Sequence, residues 1–131
     1  MDYRAANIRA GYVYVISNVG SFGENIVKIG MTRRLDPMDR VRELGDASVP
    51  FNFDVHALLF SEDAVGVETA LHRHSEKAKI NLVNNRREFF YTNPSEVKQV
   101  LSRIDGNILE YNEEAEAEQY RLSEDIRNSF Q

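Results

Sequence analysis

The sequence predicts an α+β fold: a small, mainly antiparallel three-stranded sheet flanked by helices, followed by an acidic helical tail. Three observations predict it. Two short β-branched and aromatic runs, 11–18 and 26–31, are joined by a segment holding Gly20 and Gly23, a hairpin pattern. Residues 51–60 set Phe51, Phe53, Val55, Ala57 and Leu59 against Asn52, Asp54 and His56, the two-residue period of a half-buried strand. Capped, periodic helical stretches lie between and after these runs.

Each element has a local reason. Gly11 and Asn18 bound the first strand. Asp36 with Pro37 is a helix start, and Met38, Val41 and Leu44 then face inward until Gly45. Ser61 is the expected cap of a helix running to about residue 78, with Glu62 and Asp63 favourable in its first turn. Residues 79–87 read as a polar, basic loop, and Glu88 to Tyr91 as a short extended piece with Phe89 and Phe90 in the core. Asn93-Pro94 opens a helix that turns Val97, Val100, Leu101 and Ile104 to one side and ends at Asp105-Gly106. Beyond it, Leu122, Ile126 and Phe130 recur every four residues. That stripe is expected to dock on the body of this chain; the alternative is a helix that meets a partner protein or a second copy.

Composition narrows the function. A chain of 131 residues with 42% hydrophobic content is one domain with a small core. With no cysteine, disulfides and cysteine-based zinc sites are excluded. No secretory leader pattern opens the chain, and no apolar run approaches the ~20 residues of a membrane span. The expected setting is a bacterial or phage-infected cytoplasm, with no membrane partner. The net charge of −5 is unevenly spread. Residues 105–131 hold eight acidic and two basic residues, whereas 1–104 hold thirteen acidic and fourteen basic. Lys28, Arg33, Arg34, Arg40 and Arg42 form one basic segment, and Arg73, Lys77, Lys79, Arg86 and Arg87 another. These segments are either phosphate-binding patches or solvated faces; local patches govern nucleic-acid binding more than the overall balance does.

The residues suited to chemistry follow one another in order. Tyr12 and Tyr14 share a strand face. Lys28 interrupts an apolar strand, with Gly30 two residues on; a glycine there marks a close approach by backbone or ligand. Arg40 lies near the start of the next helix. Glu68 and His72 are one turn apart on the helix after it. A hydroxyl, a cation, a guanidinium and a carboxylate are the parts needed to hold a divalent metal and a phosphodiester. Glu68, His72 and His74 do not make a zinc site, because residues two apart on a helix diverge by ~200°.

This order resembles the GIY-YIG nuclease superfamily, in particular its short phage and bacterial branch reading GYVYV…VKIG, across roughly residues 11–104. Val13-Tyr14 resembles the end of the first motif, and Lys28-Ile29-Gly30 the second, with Lys28 replacing its tyrosine. Arg40 falls where the family keeps an arginine, and Glu68 where it keeps its metal-binding carboxylate. Leu44 stands where the family often has His or Tyr. Asn84 or Asn85 falls near a late asparagine of the family. The expected organisation is an arm over 1–10, a nuclease-like domain over 11–106 and an acidic helical tail over 107–131, a layout compatible with the C-terminal piece of a longer protein. The resemblance implies DNA as partner, Mg²⁺ or Mn²⁺ as cofactor on Glu68, and Tyr14, Lys28 and Arg40 beside it; His72, one helical turn from Glu68, is expected to orient water or phosphate there. Arg33, Arg34, Arg86 and Arg87 are the expected backbone-phosphate contacts. Three functions stay open: a metal-dependent DNA endonuclease, a non-cleaving module that binds nucleic acid or protein, and an oligomerising domain.

Overall fold

The structure is a computed structural model that describes residues 8–46, 48–83, 88–103, 107–111 and 117–130. The chain runs β1 (Gly11–Ser17), α1 (Val19–Phe22), β2 (Ile26–Thr32), α2 (Pro37–Asp46), β3 (Asp54–Ser61), α3 (Ala64–His74), a 3₁₀ turn (Glu76–Ala78), β4 (Phe89–Tyr91), α4 (Pro94–Leu101), β5 (Asn107–Tyr111) and α5 (Glu118–Ser129). The expected α+β class holds, but the sheet has five strands rather than three, in the order β4-β2-β1-β3-β5, and every pairing is antiparallel. The two added strands are the edges. β4 is the short extended piece before Tyr91. β5 occupies the start of the segment expected to be helical, and it pairs with β3.

β1 is central and buried on both faces, which explains its unbroken Val-Tyr-Val-Ile run. On one face, Val13, Val15, Val27, Ile29, Ala57 and Leu59 pack against Ala64, Val67 and Leu71 of α3 and Val97 and Leu101 of α4. On the other, Tyr14, Ile16 and Leu58 pack against Val41 of α2, with Met38 and Leu44 beside it. The strict alternation expected for β3 therefore fails. A bulge opens where Val15 pairs with Ala57 but Ile16 pairs with Val55, leaving His56 as the extra residue. Bulges re-aim side chains, and His56, expected to face solvent, is 1% exposed with Nε2 at 2.6 Å from Ser17 Oγ.

The helix boundaries follow their caps. Asn18 turns the β1–β2 connection into a one-turn helix by accepting from the Ser21 backbone N–H. Asp63, not Ser61, caps α3: its carboxylate accepts from the Gly66 N–H at 3.1 Å, while Ser61 belongs to β3 and its Oγ accepts from the Asp63 N–H. Asn93 caps α4 as expected, accepting from the Glu96 N–H at 2.9 Å. The expected helix end at Ile104, Asp105 and Gly106 lies outside the described residues.

The tail helix contacts the body through its first turn. The Ala117 N–H donates to Asp54 at 3.0 Å, the Asn52 N–H donates to Gln119 at 3.2 Å, and Tyr120 meets the Phe51 ring edge-on at 5.5 Å. Its apolar stripe does not pack on the chain as expected: Leu122, Ile126 and Phe130 are all exposed. A stripe at helical spacing records only that one face is apolar, not what covers it.

Two leucines test this division. Leu71 is 1% exposed and Leu122 is 53% exposed. In urea unfolding, Leu71→Ala should cost about 2–5 kcal/mol, whereas Leu122→Ala should fall within about 0.5 kcal/mol of wild type. A comparable loss at both positions would mean that the stripe is covered in solution.

Candidate functional site

The site forms where β4 begins. On β2, β4 pairs with Ile26, Val27 and Lys28, so β2 continues past it. Helix α3 flanks that stretch, and its sequence turns Val67 and Leu71 into the core while Glu68 and His72 look toward the strand edge. His72 Nε2 lies 2.9 Å from the Ile29 carbonyl oxygen, to which it donates. Glu88, the residue before β4, accepts the Ile29 N–H on its backbone carbonyl at 3.1 Å. Its side chain is thereby placed beside Lys28, Glu68 and His72.

These groups are close together. Lys28 Nζ is 3.5 Å from Glu88 Oε1 and 5.2 Å from the centre of the Phe89 ring. His72 Nε2 is 3.7 Å from Glu88 Oε2. One ligand atom each from Glu68, His72 and Glu88 lies within 4.8 Å of the others. Lys28 is 9% exposed, so it is not a solvent-face lysine. Burial, then the charge of Glu88 and a hydrogen bond with it, push the Glu68 carboxyl up to about 7, against the pull of Lys28. Glu68 is therefore not the exposed helix former that its mid-helix position suggests.

Tyr14 joins the cluster from the α2 side of the sheet. It stands directly opposite Gly30 on β2. A methyl group at position 30 would fall 2.5 Å from the Tyr14 hydroxyl and 2.7 Å from the ring carbon bearing it. The glycine of the second motif thus admits the tyrosine of the first: the close approach expected at Gly30 is a side chain of this chain. Tyr14 is 2% exposed, and burial holds its phenol above the usual value. The Arg40 guanidinium beside it pulls the other way, and the charges of Glu88 and Glu68 add to the rise.

Arg40 Nη1 also bonds Glu43 at 3.0 Å, and Glu43 meets Arg34 at 2.5 Å. Arg34 holds the Glu43 carboxyl below its ordinary range, with Arg40 adding to it. Arg42 pairs with Asp36 and Asp39. The first basic segment is therefore partly neutralised by acids on and before α2. Arg33 is exposed at the end of β2. Leu44 lies against the α2-side core, so no polar group takes the place of the family's His or Tyr there. His74 lines a separate cavity with Leu71 and Val97, away from Glu68. Asn84, Asn85, Arg86 and Arg87 lie outside the described residues.

Sequence reasoning missed Glu88. It was legible only as the start of an extended piece, and nothing local distinguishes it. Its place beside Lys28 follows from the β2–β4 register, which pairs Lys28 with Phe89. The cavity beside Ser17 and His56, about 350 Å³, lies elsewhere, bounded by Asn93, Pro94 and Arg121.

Fold and site together define a small α+β domain with paired carboxyls, a tyrosine, an arginine and a buried lysine gathered at one sheet edge. The chain belongs to the T5orf172 domain family, whose pattern matches residues 11–105, a family associated with GIY-YIG- and HNH-like nuclease-type domains. No curated protein and no solved structure matches the chain. Among the described residues, no helix is long and apolar enough to cross a membrane.

The Glu68 carboxyl also sets a pH dependence of stability. Its folded value of about 7 lies above its ordinary 4.5. Between those limits the folded chain keeps a proton that the unfolded chain has released. The protonated group's contribution is full below about pH 4.5 and is lost as pH rises through about 7. Glu68→Gln carries no such charge. It should melt above wild type at pH 8, by on the order of 1 kcal/mol for a half-exposed group, with the gap closing toward pH 4.5. A gap that does not change between those pH values would contradict the buried-carboxyl geometry.

Proposed function

We propose that the chain is a metal-dependent endonuclease that hydrolyses phosphodiester bonds in DNA, taking Mg²⁺ or Mn²⁺ on Glu68. The observation that carries this is the pairing of Glu68 with Glu88 beside Tyr14 and Arg40. Two carboxyls held together with one lysine beside Glu88 have donor chemistry suited to a hard divalent cation. When bound, such an ion supplies Lewis-acid polarisation of the phosphoryl oxygen and a more acidic water.

This chain's own groups take the remaining roles. Arg40, held between the Tyr14 phenol and Glu43, faces charge developing on the phosphoryl oxygens. Tyr14 has a raised pKa, so at neutral pH it keeps its proton and acts as a hydrogen-bond donor that positions water or phosphate. Removing a proton from water falls to another group. Lys28 supplies counter-charge through Glu88, and His72 fixes α3 against the β2 edge by its bond to the Ile29 carbonyl. Arg33 and Arg34, exposed just after β2, would contact backbone phosphates.

A second reading, a DNA-binding module that does not cleave, is favoured by two observations. Leu44 is apolar, and Arg34, Arg40 and Arg42 are already tied to acids.

Supercoiled-plasmid nicking in Mn²⁺ separates the two. Wild type should nick. Glu68→Gln should lose about a hundredfold or more, because the metal supplies several kcal/mol of charge stabilisation. Arg40→Lys keeps the charge but loses the planar fork, and should lose on the order of tenfold or more. Wild-type protein that binds plasmid without nicking it would establish the binding module, and nicking by Glu68→Gln would remove the metal role.

A further inference from the structure

Resting on the metal reading of this site, we propose that Glu88 is a second protein ligand of the ion. Lys28 would hold the Glu88 position until the ion arrives. A single carboxylate on α3 is all that the motif order in the sequence implies; the second comes from the residue immediately before β4.

Geometry supports it. Glu88 offers a carboxylate oxygen within 4.8 Å of one from Glu68, so a single ion can meet both. The backbone from Glu88 onward is anchored: its carbonyl accepts from the Ile29 N–H, and Phe89 pairs with Lys28 in the sheet. A ligand on anchored backbone is presented with little reorganisation. Charge points the same way. Lys28 provides one positive charge to two carboxylates and sits 3.5 Å from Glu88, long for a charge-assisted hydrogen bond. A dication that displaces the lysine from Glu88 would match the charge of both carboxylates. His72 contributes differently. Its Nε2–H is committed to the Ile29 carbonyl, so it stands 3.7 Å from Glu88 without a hydrogen bond to it and is not required as a ligand.

Lys28 and the ion then compete for the same carboxylate. Removing the lysine should strengthen metal binding, an effect that a purely structural Glu88–Lys28 pair would not produce.

The test is calorimetric titration of the full-length protein with Mn²⁺ alone, without DNA, with circular dichroism confirming that each variant is folded. Wild type should bind one ion. Glu68→Gln and Glu88→Gln should each weaken binding by about tenfold or more, a loss at least equal to that for removing an outer partner of a metal ligand. Lys28→Met, close in length and apolar, should bind several-fold tighter than wild type. Wild-type affinity in folded Glu88→Gln, with loss only in Glu68→Gln, would overturn the proposal and leave Glu88 as a counter-ion. So would unchanged affinity in Lys28→Met. Wild type that does not bind Mn²⁺ would overturn both this proposal and the metal reading beneath it. Normal Mn²⁺ binding without plasmid nicking would leave the ligand set standing and remove the nuclease.

Discussion

Two carboxyl groups, Glu68 and Glu88, are held against each other at the uncovered edge of β2, and the rest of the site depends on that contact. Burial disfavours the ionised form, and the like charge of Glu88 adds to the cost, so the Glu68 carboxyl is pushed up to about 7. Folding does not relieve the tension. The core fixes α3 through Val67 and Leu71, and the sheet fixes Glu88 through β4. The backbone positions of both carboxyls are therefore set by packing and by ladder hydrogen bonds. Strain of this kind, maintained by the surrounding structure, is characteristic of sites prepared for a ligand.

The site joins the two sides of the sheet. Glu68 and His72 come from α3 on one side, and Tyr14 and Arg40 belong to the α2 side. Gly30 connects them. Because no side chain stands at position 30, the Tyr14 ring crosses over β2 and brings its hydroxyl into the electrostatic reach of Glu68 and Glu88. A side chain there would push the ring back toward α2. The short motif Lys28-Ile29-Gly30 thus does three jobs on successive residues. Lys28 neutralises Glu88, the Ile29 backbone accepts from His72 and donates to the Glu88 carbonyl, and Gly30 admits Tyr14.

Much of this was legible in the sequence. The hairpin, the Asp36-Pro37 and Asn93-Pro94 helix starts, and the placement of Tyr14, Arg40 and Glu68 on successive elements all follow from local signals. What was not legible depends on non-local pairing. The edge strands β4 and β5 are short, and nothing local marks an edge strand; β5 was absorbed into the composition of an acidic tail. His56 reads as solvent-facing by alternation, but a bulge turns it inward to Ser17. Glu88 acquires meaning only when β4 sets it beside Lys28. The basic segment around Arg40 reads as a patch, yet Glu43, Asp36 and Asp39 answer most of it from one or two helical turns away. The tail stripe was correctly seen as one apolar face, and its covering was assigned without a partner surface to support it.

The central claim is that burial, with the charge of Glu88 added to it, pushes the Glu68 carboxyl up to about 7 until a cation arrives. Carbon-detected NMR of the Glu68 carboxyl, titrated from pH 4 to 9, tests it most directly. The account predicts a midpoint near 7 in metal-free protein, moving well down when Mg²⁺ is added. A midpoint near the ordinary 4.5, unchanged by Mg²⁺, would contradict it.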